Sequence, residues 1–233
     1  MTDRIDVLDR GFVRRLDWMG DDLAVARAAR VMPDAGWREG EGTGTDRGLL
    51  QFMMRHGHTS PFEQVVFKFE VKLPIASIRQ WVRHRTQSPN EISARYSVLP
   101  DEYYVPDIQL IGEQSATNHQ SRVIRPLTEA ERTRNQVLLD CYVAHCDRAF
   151  KLYHDLLEGG WPRELARMCL PLSTYTRMIV TANLHNWFRF LHERLALGAQ
   201  LEIRVYAEAI LKLIDPVVPV CVAAWREGGA ANG

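Results

Sequence analysis

Residues Gln64 to Leu73 read QVVFKFEVKL, and this decapeptide decides the fold class. Val65, Phe67, Phe69, Val71 and Leu73 alternate with Val66, Lys68, Glu70 and Lys72. Successive side chains of an extended chain point to opposite faces, so the pattern predicts a half-buried strand in an antiparallel sheet. Pro74 ends it, and a helix is predicted directly afterwards. Whatever that helix carries therefore starts from a rigid element. Helical patterns dominate the remainder, which predicts an α+β fold. We expect one domain over residues 1–233, with a small antiparallel or mixed sheet and several long helices.

Upstream, residues 1–31 contain a short strand-like piece and then a helix over Leu23 to Arg30, capped by Asp21 or Asp22. Residues 33–48, PDAGWREGEGTGTDRG, are rich in glycine and charge and read as a mobile loop. No apolar strand precedes Gly40, Gly42 and Gly44 and no Lys-Ser/Thr follows, so a phosphate loop is not expected. Asp46 to Met54 is predicted helical. Arg55-His56-Gly57 is the triplet of histidine phosphatases, where a strand would precede it. The helix expected here argues against that chemistry. His58 and Ser60 stand just before Pro61 and Glu63, in a turn able to hold an anion on backbone N–H groups.

Downstream, few apolar positions occur between 100 and 127, and Gly112 to Ser121 reads as a flexible loop. Thr128 and Glu131 form a capping box that opens a long helix. Its predicted apolar stripe is Leu138, Cys141, Tyr142, Ala149, Leu152 and Leu156, and Gly159-Gly160 stops it. Trp161-Pro162 opens a further helix with Arg163 and Arg167 one turn apart, ended by Pro171. Thr181 to Leu195 is predicted helical, with Asn183 and Arg194 on neighbouring faces. His185, Arg189 and His192 follow one another at i, i+4 and i+7, a stripe suited to an anion or an aromatic ring. A last helix is expected over Gln200 to Ile214, and Gly228 to Gly233 reads as a frayed tail.

Lys+Arg and Asp+Glu are both 29, so net charge is zero, which argues against a general nucleic-acid binder. The N-terminus lacks an apolar signal core, and the longest apolar run, Val217 to Trp225, is too short to span a bilayer. Neither a membrane nor a nucleic-acid partner is expected. Cys141, Cys146, Cys169 and Cys221 form no C-x-x-C pair, and H-E-x-x-H is absent, so no metal is expected. Reduced, mostly buried thiols in the cytoplasm are the reading.

Ile78 to Ser97, IRQWVRHRTQSPNEISARYS, gathers Arg79, Arg83, Arg85 and Arg95 with His84, Glu91 and Ser93. A span this cationic calls for anions, most simply ligand phosphates. Its first half reads as a helix carrying Gln80, Arg83 and His84. Ser88-Pro89-Asn90 reads as a turn. Beyond it, Glu91, Ser93 and Arg95 are expected to share one edge of an extended segment. That edge would offer a carboxylate, a hydroxyl and a guanidinium. Ser93 has no partnered base in the sequence. Arginines without a strong nucleophile point to chemistry carried by a cofactor.

Arg83-His84-Arg85, then Ser88, Asn90-Glu91, Ser93 and Arg95-Tyr96-Ser97, resemble the signature of the flavin-dependent thymidylate synthases. Gly57-His58-Thr59-Ser60-Pro61-Phe62-Glu63 resembles a second segment of that family. Arg167, Leu170-Pro171-Leu172, Tyr175-Thr176-Arg177, Asn183 and Arg194 resemble a third. The matches extend from about residue 46 to 210. The resemblance implies a homotetramer with FAD between subunits. It implies methylation of dUMP to dTMP, with methylenetetrahydrofolate as carbon donor and NADPH as reductant. Position by position, His58, Ser60, Glu63, Arg83, His84, Arg85, Asn183, His185 and Arg189 would contact FAD. Gln80, Arg83, Glu91, Ser93, Ala94, Arg95, Arg167 and Arg194 would hold dUMP. Arg194, Ser93 and Arg83 would stand closest to the chemistry, Ser93 as a binder rather than an attacking group.

The chain departs from the family in places. Met32 stands where serine often follows Ala-Arg-Val. His185 stands where some members carry Arg, and Arg189 where others carry Asn or His. These departures motivate an alternative: a nucleotide-binding regulatory module of the same fold with impaired catalysis.

Overall fold

The computed structural model describes residues 3–117 and 121–229. Strand β1 (Arg4–Val7) and strand β2 (Gly11–Met19) form a hairpin. Helix α1 (Asp22–Arg30) follows, its N-terminus capped by the Asp21 side chain accepting from the Ala24 N–H. Helix α2 (Asp46–Arg55) is capped in the same manner by Thr45. The glycine-rich segment between them forms no regular element. Asp46, wholly buried, holds it by accepting from the Arg38 N–H at 2.8 Å and pairing with Arg30.

A short 3-10 turn, Ser60–Gln64, leads into strand β3 (Val66–Pro74). The expected alternation is realised: Val65, Phe67, Phe69, Val71 and Leu73 are fully buried. On the opposite face, Lys72 reaches Glu102 at 2.8 Å. Helix α3 (Ile75–Trp81) starts directly at the strand's end. Strand β4 (Ser88–Glu91) comes next, and a two-stranded ribbon is made by β5 (Glu113–Gln114) and β6 (Arg122–Val123). The long helix α4 (Glu129–Glu158) has the predicted capping box, and the short α5 (Arg163–Ala166) packs on it. Strand β7 (Tyr175–Asn183) then leads into α6 (Leu184–Leu195), α7 (Leu201–Ile214) and α8 (Pro219–Gly229).

The main sheet has the order β1-β2-β3-β7-β4, and every pairing in it is antiparallel. A mixed sheet, left open by the sequence, is thus excluded. On β7, Met178, Val180 and Ala182 stand opposite Val71, Phe69 and Phe67, which makes a dry two-strand centre. Helices α6, α7 and α8 bury Trp187, Phe190, Tyr206, Ile210 and Val222 in the same cluster.

Four expectations need correction. Thr181 to Asn183 are the last residues of β7, not the start of a helix; Asn183 instead caps α6. Tyr175–Asn183 is rich in β-branched residues, and pairing with β3 decides the matter. Ser88-Pro89-Asn90 is an edge strand rather than a turn; proline is tolerated there because its missing N–H points off the sheet. The stripe assigned to α4 is rotated. Leu138 is 61% and Leu152 48% exposed, while Cys146, Ala149, Phe150 and Tyr153 are the buried face. Part of Gly112 to Ser121 forms the β5–β6 ribbon; residues 118–120 lie outside the described residues, as do 230–233 of the tail.

Candidate functional site

The residues singled out in the sequence gather in three places. The first is the N-terminal end of α6. Asn183 Oδ1 accepts from the Asn186 N–H at 2.9 Å, and its Nδ2 donates to Glu63 Oε2 at 3.5 Å. Glu63 lies in the 3-10 turn that Ser60 begins, so β7, α6 and that turn meet here. His185 and Arg189 project one turn apart along α6 and line a cleft of about 330 Å³. Its apolar wall is Met54, Phe188 and Trp225, the last two rings stacked at 5.3 Å. Burial lowers the His185 pKa; Glu63 pulls it back up and Arg189 lowers it further. His58 is exposed beside this cleft, its ring edge-on to Phe52 at 5.8 Å. The neighbouring His56 ends α2 and is stacked on Phe52, with its Nδ1 2.8 Å from the Phe52 carbonyl. A helix does precede Arg55-His56-Gly57, as read from the sequence.

The second place is the C-terminal end of the same helix. Arg194 Nε donates to His84 Nε2 at 2.9 Å, and its Nη2 donates to the Gln80 carbonyl at 3.3 Å. His84 sits edge-on to Phe190 at 4.9 Å. Helix α3 ends at Trp81, so Gln80 is helical but Arg83, His84 and Arg85 are not. The expected single helix through His84 is therefore too long. The Val82 N–H closes the last turn on Ile78, and the following residues leave the helix axis for β4. That departure lets His84 turn inward while Arg83 and Arg85 stay exposed. The Gln80 side chain donates to Gln200, which donates to Glu202 at 2.8 Å.

The third place lies beyond β4. Glu91, Ala94, Arg167, Leu170 and Thr176 line a cleft of about 110 Å³. Glu91 Oε1 accepts from Thr176 Oγ1 at 2.9 Å. Thr176, 4% exposed on β7, was quoted from the sequence for resemblance only, and no signal in the pattern marked it as a partner of Glu91. Ser93 does not continue an extended edge. Its carbonyl accepts from the Tyr96 and Ser97 N–H groups, and its Oγ accepts from the Arg95 N–H at 3.3 Å, so residues 93–97 form a turn. This corrects the expectation that Glu91, Ser93 and Arg95 share one extended edge. The Arg95, Tyr96 and Ser97 N–H groups are thus engaged within the turn by Ser93 itself. Arg95 is 3.6 Å from Glu164, both more than half exposed. Such a pair contributes little and yields readily to a phosphate.

Chemically, the first place offers donors and an apolar wall. The second offers a fixed guanidinium, and the third a carboxylate beside a half-buried arginine. Among the described residues, no group of His, Cys, Asp and Glu is arranged to hold a metal ion.

The family described as Thymidylate synthase complementing protein matches residues 16–220. A flavin-dependent thymidylate synthase of Thermus thermophilus is 48% identical over 227 residues, covering 96% of this chain and 78% of that one. One from Anaplasma marginale is 47% identical over 222 residues, covering 95% and 74%. Among solved structures, a UMP/dUMP methylase PolB from Streptomyces cacaoi, bound with 5-Br dUMP, superposes with a TM-score of 0.83. It is 33% identical, and the match covers 97% of this chain and 98% of that one. The chain belongs to the thymidylate synthase complementing protein family, the methyltransferases whose curated members are named flavin-dependent thymidylate synthases.

Proposed function

We propose that this enzyme methylates dUMP to dTMP with FAD as cofactor, methylenetetrahydrofolate as carbon donor and NADPH as reductant. The observation that carries the reading is the third cleft. Glu91 and Ala94 from one segment and Arg167 from a distant one line one space. A nucleotide phosphate carries about −1.5 to −2 charge at neutral pH. Arg167, Arg95, the Ser93 hydroxyl and the Ala94 N–H suit it, and Glu91 can accept from a donor on the nucleoside. Gln80 and Arg83 complete the substrate set.

The residues at the N-terminal end of α6 fit FAD. Arg189, His185, Asn183, His58 and Ser60 are donors or cations suited to a diphosphate, and Phe188 and Trp225 wall a space suited to a ring. Glu63 orients Asn183, and in this reading the exposed Arg83 and Arg85, with the inward-turned His84 between them, meet a flavin held between copies. FAD, when bound, supplies the redox chemistry that no side chain here provides. Arg194 faces the uracil ring and stabilises negative charge as the ring is activated. Ser93 binds and does not attack. The outward apolar residues of α4, Val137, Leu138 and Leu152, support assembly of a homotetramer. Residues 1–233 act as one domain in this reading. No described helix is long and apolar enough to cross a membrane; the cytoplasm is the compartment this reading assigns.

The purified protein should absorb as a flavoprotein, and NADPH should bleach it without oxygen. The full substrate set should then yield dTMP. Colourless protein that cannot be reconstituted with FAD would overturn the reading. Tight dUMP binding without dTMP would favour the regulatory alternative.

A further inference from the structure

A guanidinium has five N–H groups and no lone pair, so it only donates. His84 Nε2 lies 2.9 Å from Arg194 Nε. That contact is a hydrogen bond only if Nε2 is bare. The imidazole must then be neutral, with its proton on Nδ1. The surroundings favour this state. The His84 side chain is 8% exposed and abuts Phe190 and the wall that Phe190 forms with Trp81. Burial lowers its pKa most, and the charges of Arg194 and then Arg189 add to this, while Glu193 opposes. The Glu193 carboxylate is 3.9 Å from His84 Nε2 and more than half exposed, so solvent screens it. Arg83 and Arg85 flank His84 in its own loop but are exposed, so solvent screens them as it does Glu193.

Both hydrogen-bond acceptors that fix Arg194 are neutral: an imidazole nitrogen and the Gln80 carbonyl. The nearest carboxylate, Glu193, stands 3.7 Å away on the solvent side. A carboxylate in the place of His84 would hold the guanidinium as firmly but cancel the charge it offers a substrate. We propose that His84 is a positioning residue for Arg194: a neutral acceptor that aims the guanidinium without quenching it, and that releases it when protonated. The idea that aiming matters for turnover rests on the reading of Arg194 given under Proposed function. Nδ1–H then remains as a donor on the other side of the ring.

Two measurements test this on the full-length protein. Nitrogen NMR of histidine-labelled protein at pH 7.5, with His84 assigned by its loss in His84→Gln, should show a bare Nε2 and a protonated Nδ1. Arg194→Met should raise the pH at which His84 titrates, because a cation and a hydrogen-bond donor are lost together. In the FAD-loaded enzyme at saturating dUMP, kcat should fall on the acid side of the ordinary imidazole range. His84→Gln keeps an acceptor but cannot titrate. It should lack that acid limb and turn over at least tenfold faster than His84→Leu, with the difference in kcat rather than KM. A proton on Nε2 at pH 7.5, an acid limb unchanged in His84→Gln, or equal turnover of the Gln and Leu variants would each overturn the proposal. Should the wild type form no dTMP at any pH, the functional reading falls. The tautomer of His84 and its response to Arg194→Met would still decide whether the imidazole holds the arginine.

Discussion

The two ends of helix α6 carry the same residue types in opposite circumstances. At the N-terminal end, His185 and Arg189 line an open cleft, and Arg189 is exposed. At the C-terminal end, His84 and Arg194 are locked to each other against Phe190. Burial lowers the pKa of both histidines. The open end leaves its donors along the cleft, whereas at the closed end an acceptor is engaged in fixing one cation. In the proposed reading, the same chemical pair serves binding at one end and aiming at the other. The two sets are close along the helix: Arg189 and Arg194 are five residues apart, about 7.5 Å at 1.5 Å per residue, and the charge of Arg189 is felt at His84.

If this contrast holds, the largest effect should come from the closed end. Arg194→Ala should cut the single-turnover rate by about 10²–10³-fold, the range for removing one preorganised charge-stabilising donor. Flavin content, read by absorbance, should be largely kept, since Arg194 is linked to the proposed flavin set only through His84. A large loss of flavin in this variant would break the division of labour.

Arg167→Ala should weaken dUMP binding by roughly 2–5 kcal/mol, the range for truncating one partner of a desolvated charge pair. Arg95→Ala should act in the same direction. Calorimetric titration with dUMP is the check, and an unchanged dissociation constant would remove the residue from the site. Thr176→Val preserves shape but deletes the hydroxyl that donates to Glu91. It should cost about 1 kcal/mol in dUMP affinity, the net value of a typical intramolecular hydrogen bond. A matching loss in Glu91→Gln, with no further loss in the double variant, would show that the two act as one unit.

The smallest effect is a difference in sign between the two histidines. An anionic ligand favours the protonated form of His185, so its pKa should rise on FAD binding. FAD affinity should therefore increase as pH falls through the region below the ordinary imidazole value, and His185→Ala should flatten that dependence. Turnover through His84 should move the other way, falling over the same region. For stability, both folded-state pKa values lie below the unfolded value of about 6.5. The unfolded chain then binds more protons in that interval. Stability should rise with pH up to about the unfolded imidazole pKa and level off above it. Denaturant midpoints at pH 5.5 and 7.5 would show this, and a reversed order would contradict both assignments.

Much of the frame was legible in the chain. Alternation in Gln64–Leu73 identified the central strand, Asp21 and Thr128 announced their helices, and Pro74 separated strand from helix. Strand β7 was not read, because Thr181 to Asn183 run without a break into a helical pattern. Only the ladder to β3 tells the two apart. The α4 stripe was misplaced because that helix has apolar residues on more than one face, and periodicity does not say which one the same chain covers. Of the site, the residue types were readable from the R-H-R and N-E-x-S-x-R segments. Their grouping was not, and neither was Thr176.

The sequence by itself determined the alternation that makes β3 a core strand, the caps, and the supply of guanidinium and imidazole groups. Those depend on the chemistry of neighbouring residues and on local backbone periods. Tertiary structure alone decided which groups meet. His84 reaches Arg194 across 110 positions and Thr176 reaches Glu91 across 85. Contacts at such separations are set by sheet pairing and by the docking of α6 on the core. No local pattern encodes them.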